Sequence, residues 1–547
     1  MLWVVKRLRK RLPLLGAMTL AHVGQALFGV VFALGTRLVI DSAVSGDADA
    51  FRRACLIQGG IIAGLLVCQF LYRHLHELLL AKLDRDWKKS LLGVLLHSDY
   101  SSVAQFHSGE LLNRMNNDVR ILNRGLLDAL PNVAALLARL AAALTVMAAL
   151  EPWFCLALCA AGVAVILTTG LMRRNLKKLH RQVSEQDGRV SGFLQEVLEK
   201  LLMVQTMDAA GEMERRADGL LADRYALQRK RKNLSVLSGS CVSLLSQGGS
   251  FAALLWCGGK LLRGQLSFGS LTAVIQLVNQ IQAPFMNLSA VVPQYIAMSA
   301  AAERLRELTE LEPEAASLDC SREDLYDKMT AIRAKDLCFS YDREVLMDNV
   351  SLTLPKGSFT VITGSSGIGK STLLKLLLGV YRPDSGRLYL DLCGEEIPVD
   401  RSLRRLFAYV PQGNLLLSGT LRENLTIAKA DATDDEIRKA LYVSAMDEFM
   451  PQLPNGLDTV LGESGAGLSE GQAQRLAIAR AILGGAPILL LDECTSALDE
   501  GTERLVLTRI RELKDRTCIA VTHRPAALAL CDQQLEMQDR MLRRRDL

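Results

Sequence analysis

The 547-residue sequence lacks a strong excess of either charge: 64 Lys and Arg stand against 59 Asp and Glu, a net of +5. So small a balance argues against nucleic-acid binding, and the basic residues gather beside apolar runs, as membrane flanks do. It also lacks any CxxC pair among its twelve cysteines, and Cys155 and Cys159 lie one helical turn apart in an apolar run. That excludes a zinc or disulfide framework and reads the cysteines as small buried hydrophobes. Residues 1–40 lack Asp and Glu altogether while carrying Lys6, Arg7, Arg9, Lys10 and Arg11, the charge pattern of a targeting peptide. Serine is nearly absent there, no small-residue cleavage site follows, and the apolar stretch from Leu12 is too long for a signal core. A basic surface segment entering a membrane helix is the expectation.

Half of the residues are hydrophobic, and they are unevenly spread. Up to about residue 300 long apolar runs alternate with basic stretches, whereas from Asp319 the chain reads as short strands, Gly turns and dispersed charge. The division expected is a membrane domain at 1–310, a linker at 311–330 and a soluble domain at 331–547. A span needs about 20 apolar residues. Runs at 14–36, 55–72, 133–150, 153–171, 234–262 and 268–298 meet that need, which predicts six transmembrane helices. Only Glu151 and Pro152 separate the third from the fourth, so that pair is expected to be a tight hairpin.

Basic clusters before the first span, after the second (Arg73, Lys82, Arg85, Lys88, Lys89) and after the fourth (Arg173, Arg174, Lys177, Lys178, Arg181) mark the cytoplasmic side and put both termini there. The connections 73–132 and 172–233 keep helix-forming composition apart from a short break at 99–108, so the membrane helices are expected to run on into the cytoplasm. Arg139, His22, Gln25, Gln247, Gln276, Asn279 and Gln280 are polar residues inside the apolar runs. They are candidates for a transport pathway, or equally for helix–helix hydrogen bonds. With no strong acidic cluster among them, a purely cationic cargo is not indicated.

The soluble half carries the chemistry. Gly364, Ser365, Ser366, Gly367, Ile368, Gly369, Lys370, Ser371 and Thr372 spell a Walker A loop between an apolar strand and a helix. Its backbone N–H groups wrap phosphates, Lys370 reaches the outer phosphates, and Ser371 offers a hydroxyl to Mg²⁺. Residues 488–491 read as a buried parallel strand ending in Asp492 and Glu493. Asp492 suits a Mg²⁺ shell, and Glu493 suits a general base for the attacking water.

Between them stands Leu468-Ser-Glu-Gly-Gln472, followed by a helix-like run. In order and spacing, the Walker A loop, this variant of the LSGGQ signature and the Walker B strand resemble the ABC ATPase domain. The resemblance implies an α-helical membrane bundle fused to an α/β P-loop motor that hydrolyses ATP with Mg²⁺. It implies Tyr341 as the aromatic that stacks on adenine, Gln412 as the Q-loop residue shared with the metal site, Asp499 as part of the D-loop, and His523 as the switch histidine. Ser469, Glu470, Gly471 and Gln472 would serve ATP held by a partner chain, so a second half-transporter, as homodimer or heterodimer, is implied. Segments 453–459 with Glu463, Ser464 and Gly465, and 418–424, look like the exporter branch, as do 109–119 and 192–207 in the membrane half. Coupling helices are expected near 117–120 and 201–207.

The implied protein is a half-exporter of an amphipathic or hydrophobic cargo (lipid, peptide or drug) in a bacterial plasma membrane. The alternative is an ATP-gated or regulatory protein that does not pump. Departures from the family pattern are Glu470 in place of the first signature Gly, Ala473 where a basic residue is frequent, and a short C-terminus whose closing strands lack a Gly turn.

Overall fold

The computed structural model describes residues 3–4, 9–313, 321–341, 344–413, 416–462, 467–513 and 516–545; the side chains of residues 10, 163–174, 177, 238, 242, 245 and 284–293 stand outside the described set. There are two compact units, Met1–Gly93 with Ser108–Glu310, and Val94–His107 with Leu311–Leu547.

The first unit is a bundle of long helices. In chain order they are α1 (Leu12–Ser45), α2 (Ala48–His97), then, past the short α3 (Tyr100–Ala104), the run α4 (Ser108–Leu150). α5 (Pro152–Glu199), the short α6 (Leu201–Thr206), α7 (Ala210–Leu262) and α8 (Phe268–Thr309) follow. Pro13 lies in the first turn of α1, where its missing N–H costs nothing, and Gly46 ends the helix with φ 73°. Small and aliphatic residues interlock at the bundle centre: Val30 and Ala33 of α1, Ala143 and Met147 of α4, Ala253 and Cys257 of α7, and Val274, Leu277 and Ile281 of α8. Glu151 alone separates α4 from α5, and its buried carboxylate accepts from Lys260 Nζ at 2.7 and 2.9 Å and from Trp256 Nε1 at 3.2 Å.

Among the described residues four helices are long and apolar enough to cross a membrane: Leu12–Ser45, Ala48–His97, Ser108–Leu150 and Ala210–Leu262. The expected six transmembrane helices are therefore corrected to four. The expected spans at 153–171 and 268–298 fall in α5 and α8. In α5 the described apolar stretch is only Pro152–Gly162, about 16 Å of helix, roughly half the hydrocarbon thickness. The side chains of 163–171 lie outside the described residues. In α8 the apolar positions are interrupted by Gln276, Asn279, Gln280 and Gln282, and the side chains of 284–293 again lie outside the described residues.

The second unit is α/β. The small α9 (Arg322–Lys328) buries Leu325 and Tyr326. An antiparallel sheet, in the order β2-β1-β4-β5, contains β1 (Ala331–Tyr341), β2 (Glu344–Pro355), β4 (Ser385–Leu392) and β5 (Glu395–Pro398). The second sheet runs β12-β11-β3-β10-β9-β6. Its members are β3 (Phe359–Gly364), β6 (Phe407–Val410), β9 (Ile488–Asp492), β10 (Thr517–Val521), β11 (Gln533–Gln538) and β12 (Met541–Arg545). All five strands from β11 to β6 are parallel, and only β12 is antiparallel.

Every residue of β9 and β10 is buried, as a parallel sheet covered on both faces requires. One face packs on α10 (Lys370–Leu377) through Leu373, Leu374 and Leu377. The other meets α11 (Leu421–Thr426), α12 (Asp434–Val443), α13 (Glu470–Leu483) and α14 (Glu500–Arg511). Ala473 is 2% exposed in that second core, so a long basic side chain there would overpack it. The ribbon of β7 (Gly419–Thr420) and β8 (Val460–Leu461) joins the two exporter-like segments, pairing Thr420 with Val460; Glu463, Ser464 and Gly465 lie outside the described residues.

The β11–β12 turn places Asp539 at φ 52° and Arg540 at φ 65°, the geometry of a type I′ hairpin that normally takes Gly. Arg540→Gly is expected to stabilise this unit by about 1 kcal/mol, read as a higher Tm, because the left-handed backbone no longer opposes a Cβ.

Candidate functional site

Parallel strands direct their C-terminal ends to one edge, where α/β folds bind ligands. Here Val521 pairs with both Ile362 and Asp492, and Val410 with Leu491. The residues that leave β3, β10, β9 and β6 therefore emerge side by side: the loop from Gly364, then His523, Glu493 and Gln412.

At Gly364 the backbone takes φ 147°, and a Cβ there would stand 2.5 Å from the Met537 carbonyl oxygen of β11. Only glycine fits so close a neighbour. Ser365, Ser366 and Gly367 are exposed, Ile368 is half-buried, and Gly369 at φ 109° turns the chain into α10. Lys370 is 6% exposed, and its ammonium donates to the carbonyls of Gly364 at 2.7 Å and Ser365 at 2.9 Å. Ser371 and Thr372 occupy the first turn of α10, where free N–H groups and the helix dipole favour an anion.

Ser371 Oγ donates to Asp492 Oδ1 at 3.0 Å, and Tyr409 OH donates to Asp492 Oδ2 at 3.0 Å. Asp492 is 1% exposed. Burial pushes its carboxyl above the usual carboxylate range, while the bonds from Ser371 and Tyr409 pull the other way. Glu493, half-buried, sits at φ 48°, an uncommon conformation for a side-chain-bearing residue that costs about 1 kcal/mol. The bend turns its carboxylate off the strand, where Gln412 Nε2 donates to Glu493 Oε2 at 2.7 Å. Gln412 thus contacts the base candidate, whereas the hydroxyl and carboxylate suited to a metal are Ser371 and Asp492. His523 follows β10 and is exposed at the same edge.

These residues fit a magnesium nucleotide. Ser371 and Asp492 are hard oxygen donors within one hydrogen bond of each other, and loop N–H groups with a lysine ammonium stand beside them. Tyr409 did not stand out in the sequence, because its role arises from the β6–β9 pairing. Tyr409→Phe leaves the Asp492 carboxyl more readily protonated, so a proton competes better with the cation. The Mg²⁺ concentration for half-maximal ATP hydrolysis is expected to rise severalfold near about pH 6 and less near about pH 8.

The signature residues form a second place. Ser469 caps α13, with its Oγ accepting from Gln472 N at 3.3 Å and its own N donating to Gln472 Oε1 at 2.8 Å. Glu470 is exposed in the first helical turn, where a carboxylate is favoured. Gly471 lies so close to the next loop that a Cβ would stand 2.9 Å from the Ala497 carbonyl oxygen. Asp499 caps α14 by accepting from Thr502 N at 2.9 Å, which holds its carboxyl below the usual range. Ser469, Glu470, Gly471, Gln472 and Asp499 line one open cleft of about 380 Å³.

Buried Gln474, another residue the sequence did not single out, ties this cleft together: Nε2 donates to Ser496 Oγ and Oε1 accepts from Ala497 N, both at 3.1 Å. Among the described residues no hydrogen bond or ion pair joins the signature set to the Walker set. Tyr341 is 43% exposed at the end of β1, its ring edge-on to Tyr381 at 5.3 Å and their hydroxyls bonded to each other.

Two further observations concern the expected coupling segments. Residues 117–120 lie inside the first unit, where buried Asp118 accepts from Arg304 at 2.6 and 2.8 Å. The stretch Val94–His107, by contrast, packs within the second unit: Asp99 N donates to Glu312 O at 2.9 Å, and Tyr100 stands edge-on to Tyr381 at 6.4 Å.

Comparison with known proteins agrees with both halves. The family described as "ABC transporter transmembrane region" matches residues 15–285, and the one described as "ABC transporter" matches 347–496. A probable ABC transporter ATP-binding/permease protein of Haemophilus influenzae is 30% identical over 79% of this chain and 78% of its own length. An ATP-dependent lipid A-core flippase of Photobacterium profundum is 31% identical over 69% of this chain and 64% of its own. The fold is that of a bacterial Atm1-family ABC exporter solved with ATP bound, at a TM-score of 0.79 with 24% identity, covering 98% of this chain and 94% of that one. A transmembrane region and an ATP-hydrolysing motor in one polypeptide, with a P-loop, a Walker B carboxylate and a signature helix in order, place the chain in the ABC transporter family.

Proposed function

We propose that this chain is one half of a dimeric exporter that uses ATP to move an amphipathic or hydrophobic cargo, lipid foremost, across a bacterial plasma membrane, with both termini in the cytoplasm. Residues 1–310 serve as the membrane part, 311–330 as linker and 331–547 as motor. The observation that carries this reading is the separation of the two residue sets: the Walker residues stand at the sheet edge, and the signature cleft opens to solvent, with no hydrogen bond or ion pair between the two sets among the described residues.

In this reading Tyr341 meets the adenine, and the loop 364–372 with Lys370 holds the phosphates. Ser371 and Asp492 hold Mg²⁺, which when bound neutralises phosphate charge during transfer. Glu493, oriented by Gln412, polarises the water, and His523 faces the outermost phosphate. Ser469 and Gly471 of a second copy add donors from across a dimer seam, so binding favours closure and hydrolysis releases it. The helix Leu201–Thr206 supports a docking role, since Leu202 is 75% and Met207 69% exposed beside it. α3, packed in the second unit, is the other transmission element. The flippase relative supports lipid as the cargo class.

The test is reconstitution in liposomes with a fluorescent lipid. ATP-dependent translocation by the wild type and none by Glu493→Gln are expected. Hydrolysis with no vectorial movement of lipid, peptide or drug contradicts export and favours the regulatory alternative.

A further inference from the structure

The polar residues of the membrane unit divide into those already engaged and those not. Asn279 Oδ1 accepts from Ser250 Oγ at 3.3 Å, and Gln280 Nε2 donates to the Gly29 carbonyl of α1. These are helix–helix bonds. Arg139 of α4 is different: its Nε is enclosed and has no hydrogen-bond partner, and the same holds for His22 Nδ1 of α1. The two belong to one place. His22 Nε2 bonds Asn132 Oδ1 at 2.9 Å, and Arg139 lies two turns from Asn132 on the same face of α4, its side chain inclined back toward Asn132 as helix geometry requires. The His22 ring stacks on Tyr72 of α2 at 4.3 Å, which fixes its plane.

No acid of the surrounding helices neutralises Arg139 among the described residues. Asp128 is eleven positions away on α4, about 16 Å along the axis, and is bonded to His76 at 2.9 Å. Asp41 is taken by Ser267 Oγ and Gly269 N, both at 2.9 Å, with Arg37 at 3.5 Å. Glu151 is taken by Lys260 and Trp256. A charge inside an apolar span is costly and persists where a partner meets it.

We propose that Arg139 and His22, between α1 and α4, form a binding site for the anionic group of an amphipathic molecule: a phosphate or other oxyanion carried on an apolar tail. This rests on the export reading and narrows its cargo. The guanidinium supplies charge and paired N–H donors to the oxyanion, and the imidazole, whose Nε2–H donates to Asn132 Oδ1, presents its Nδ1 lone pair to a P–OH of a singly protonated phosphate. The surrounding apolar helix surface takes the tail. Two sources share this chemistry, an amphiphile entering from the cytosol and an anionic lipid headgroup.

The test measures equilibrium binding without ATP, on the full chain in nanodiscs of phosphatidylcholine, with dodecyl phosphate and uncharged dodecyl maltoside as probes. Wild type is expected to prefer dodecyl phosphate. Arg139→Gln is expected to weaken dodecyl phosphate about tenfold and leave dodecyl maltoside unchanged, with Arg139→Lys between. His22→Gln is expected to give a smaller loss on the phosphate alone, and Arg52→Gln, at an exposed site, to change neither. Discs containing phosphatidylglycerol separate the sources: competition with dodecyl phosphate identifies the headgroup, and none identifies the free amphiphile.

Equal affinity for the two probes in the wild type, or equal losses of both in Arg139→Gln, overturns the proposal. Because no ATP is present, such a failure is distinct from failure of export, which is read as ATP-driven translocation of a fluorescent lipid in liposomes and its loss in Glu493→Gln.

Discussion

Glu493→Gln is expected to lower ATP turnover by at least about a hundredfold while ATP is still held. The backbone bend at φ 48° aims the carboxylate away from β9, and the Gln412 amide at 2.7 Å fixes one oxygen. The second oxygen is left to accept a proton from water. An amide in its place keeps the size and loses the proton acceptor, so phosphate contacts through Lys370 and the loop survive. Single-turnover hydrolysis, alongside retention of labelled ATP, separates this from a loss of binding. Near-normal turnover in the variant would move the general base elsewhere.

Gly471→Val is expected to be as severe for a different reason. A Cβ alone would stand 2.9 Å from the Ala497 carbonyl and 3.3 Å from the Leu498 side chain, so a branched residue must push α13 from the loop that leads to Asp499. Gln474 bonds both Ser496 and Ala497, and the displacement therefore spreads through the whole cleft. A shift of about 1 Å at a positioning surface costs on the order of a hundredfold in rate. Walker-loop residues are not displaced by this change, so ATP binding at the intact Walker loop, with circular dichroism for the fold, separates a disturbed cleft from unfolding. Wild-type hydrolysis by this variant would show that the cleft takes no part in the reaction.

Local chemistry made the motor legible: a glycine loop between strand and helix, and two acids at the end of an all-apolar strand, fix position and role together. Residues that act through pairing were not legible. Tyr409 reaches Asp492 only because β6 lies beside β9, and Gln474 reaches the D-loop only because α13 packs against it. Nothing in their sequence neighbourhoods carries that information. In the membrane half, hydropathy of the sequence counted six spans, whereas four helices are long and apolar enough among the described residues; in α5 the described apolar stretch ends at Gly162, and in α8 amides interrupt it. The broken stretch at 99–108 looked like a mere interruption, yet Tyr100–Ala104 packs in the second unit; the side-chain cue was Tyr100, which has an aromatic partner there.

The most direct measurement mixes two inactive forms, Lys370→Ala and Gly471→Val, each measured alone and then after subunit exchange. If every ATP site combines the Walker loop of one chain with the signature of another, a mixed pair holds one site with both parts intact. Hydrolysis should return to about a quarter of the wild-type rate under free exchange. Were each site built within a single chain, mixing would restore nothing, and an unchanged null rate in verified mixed dimers would contradict the account.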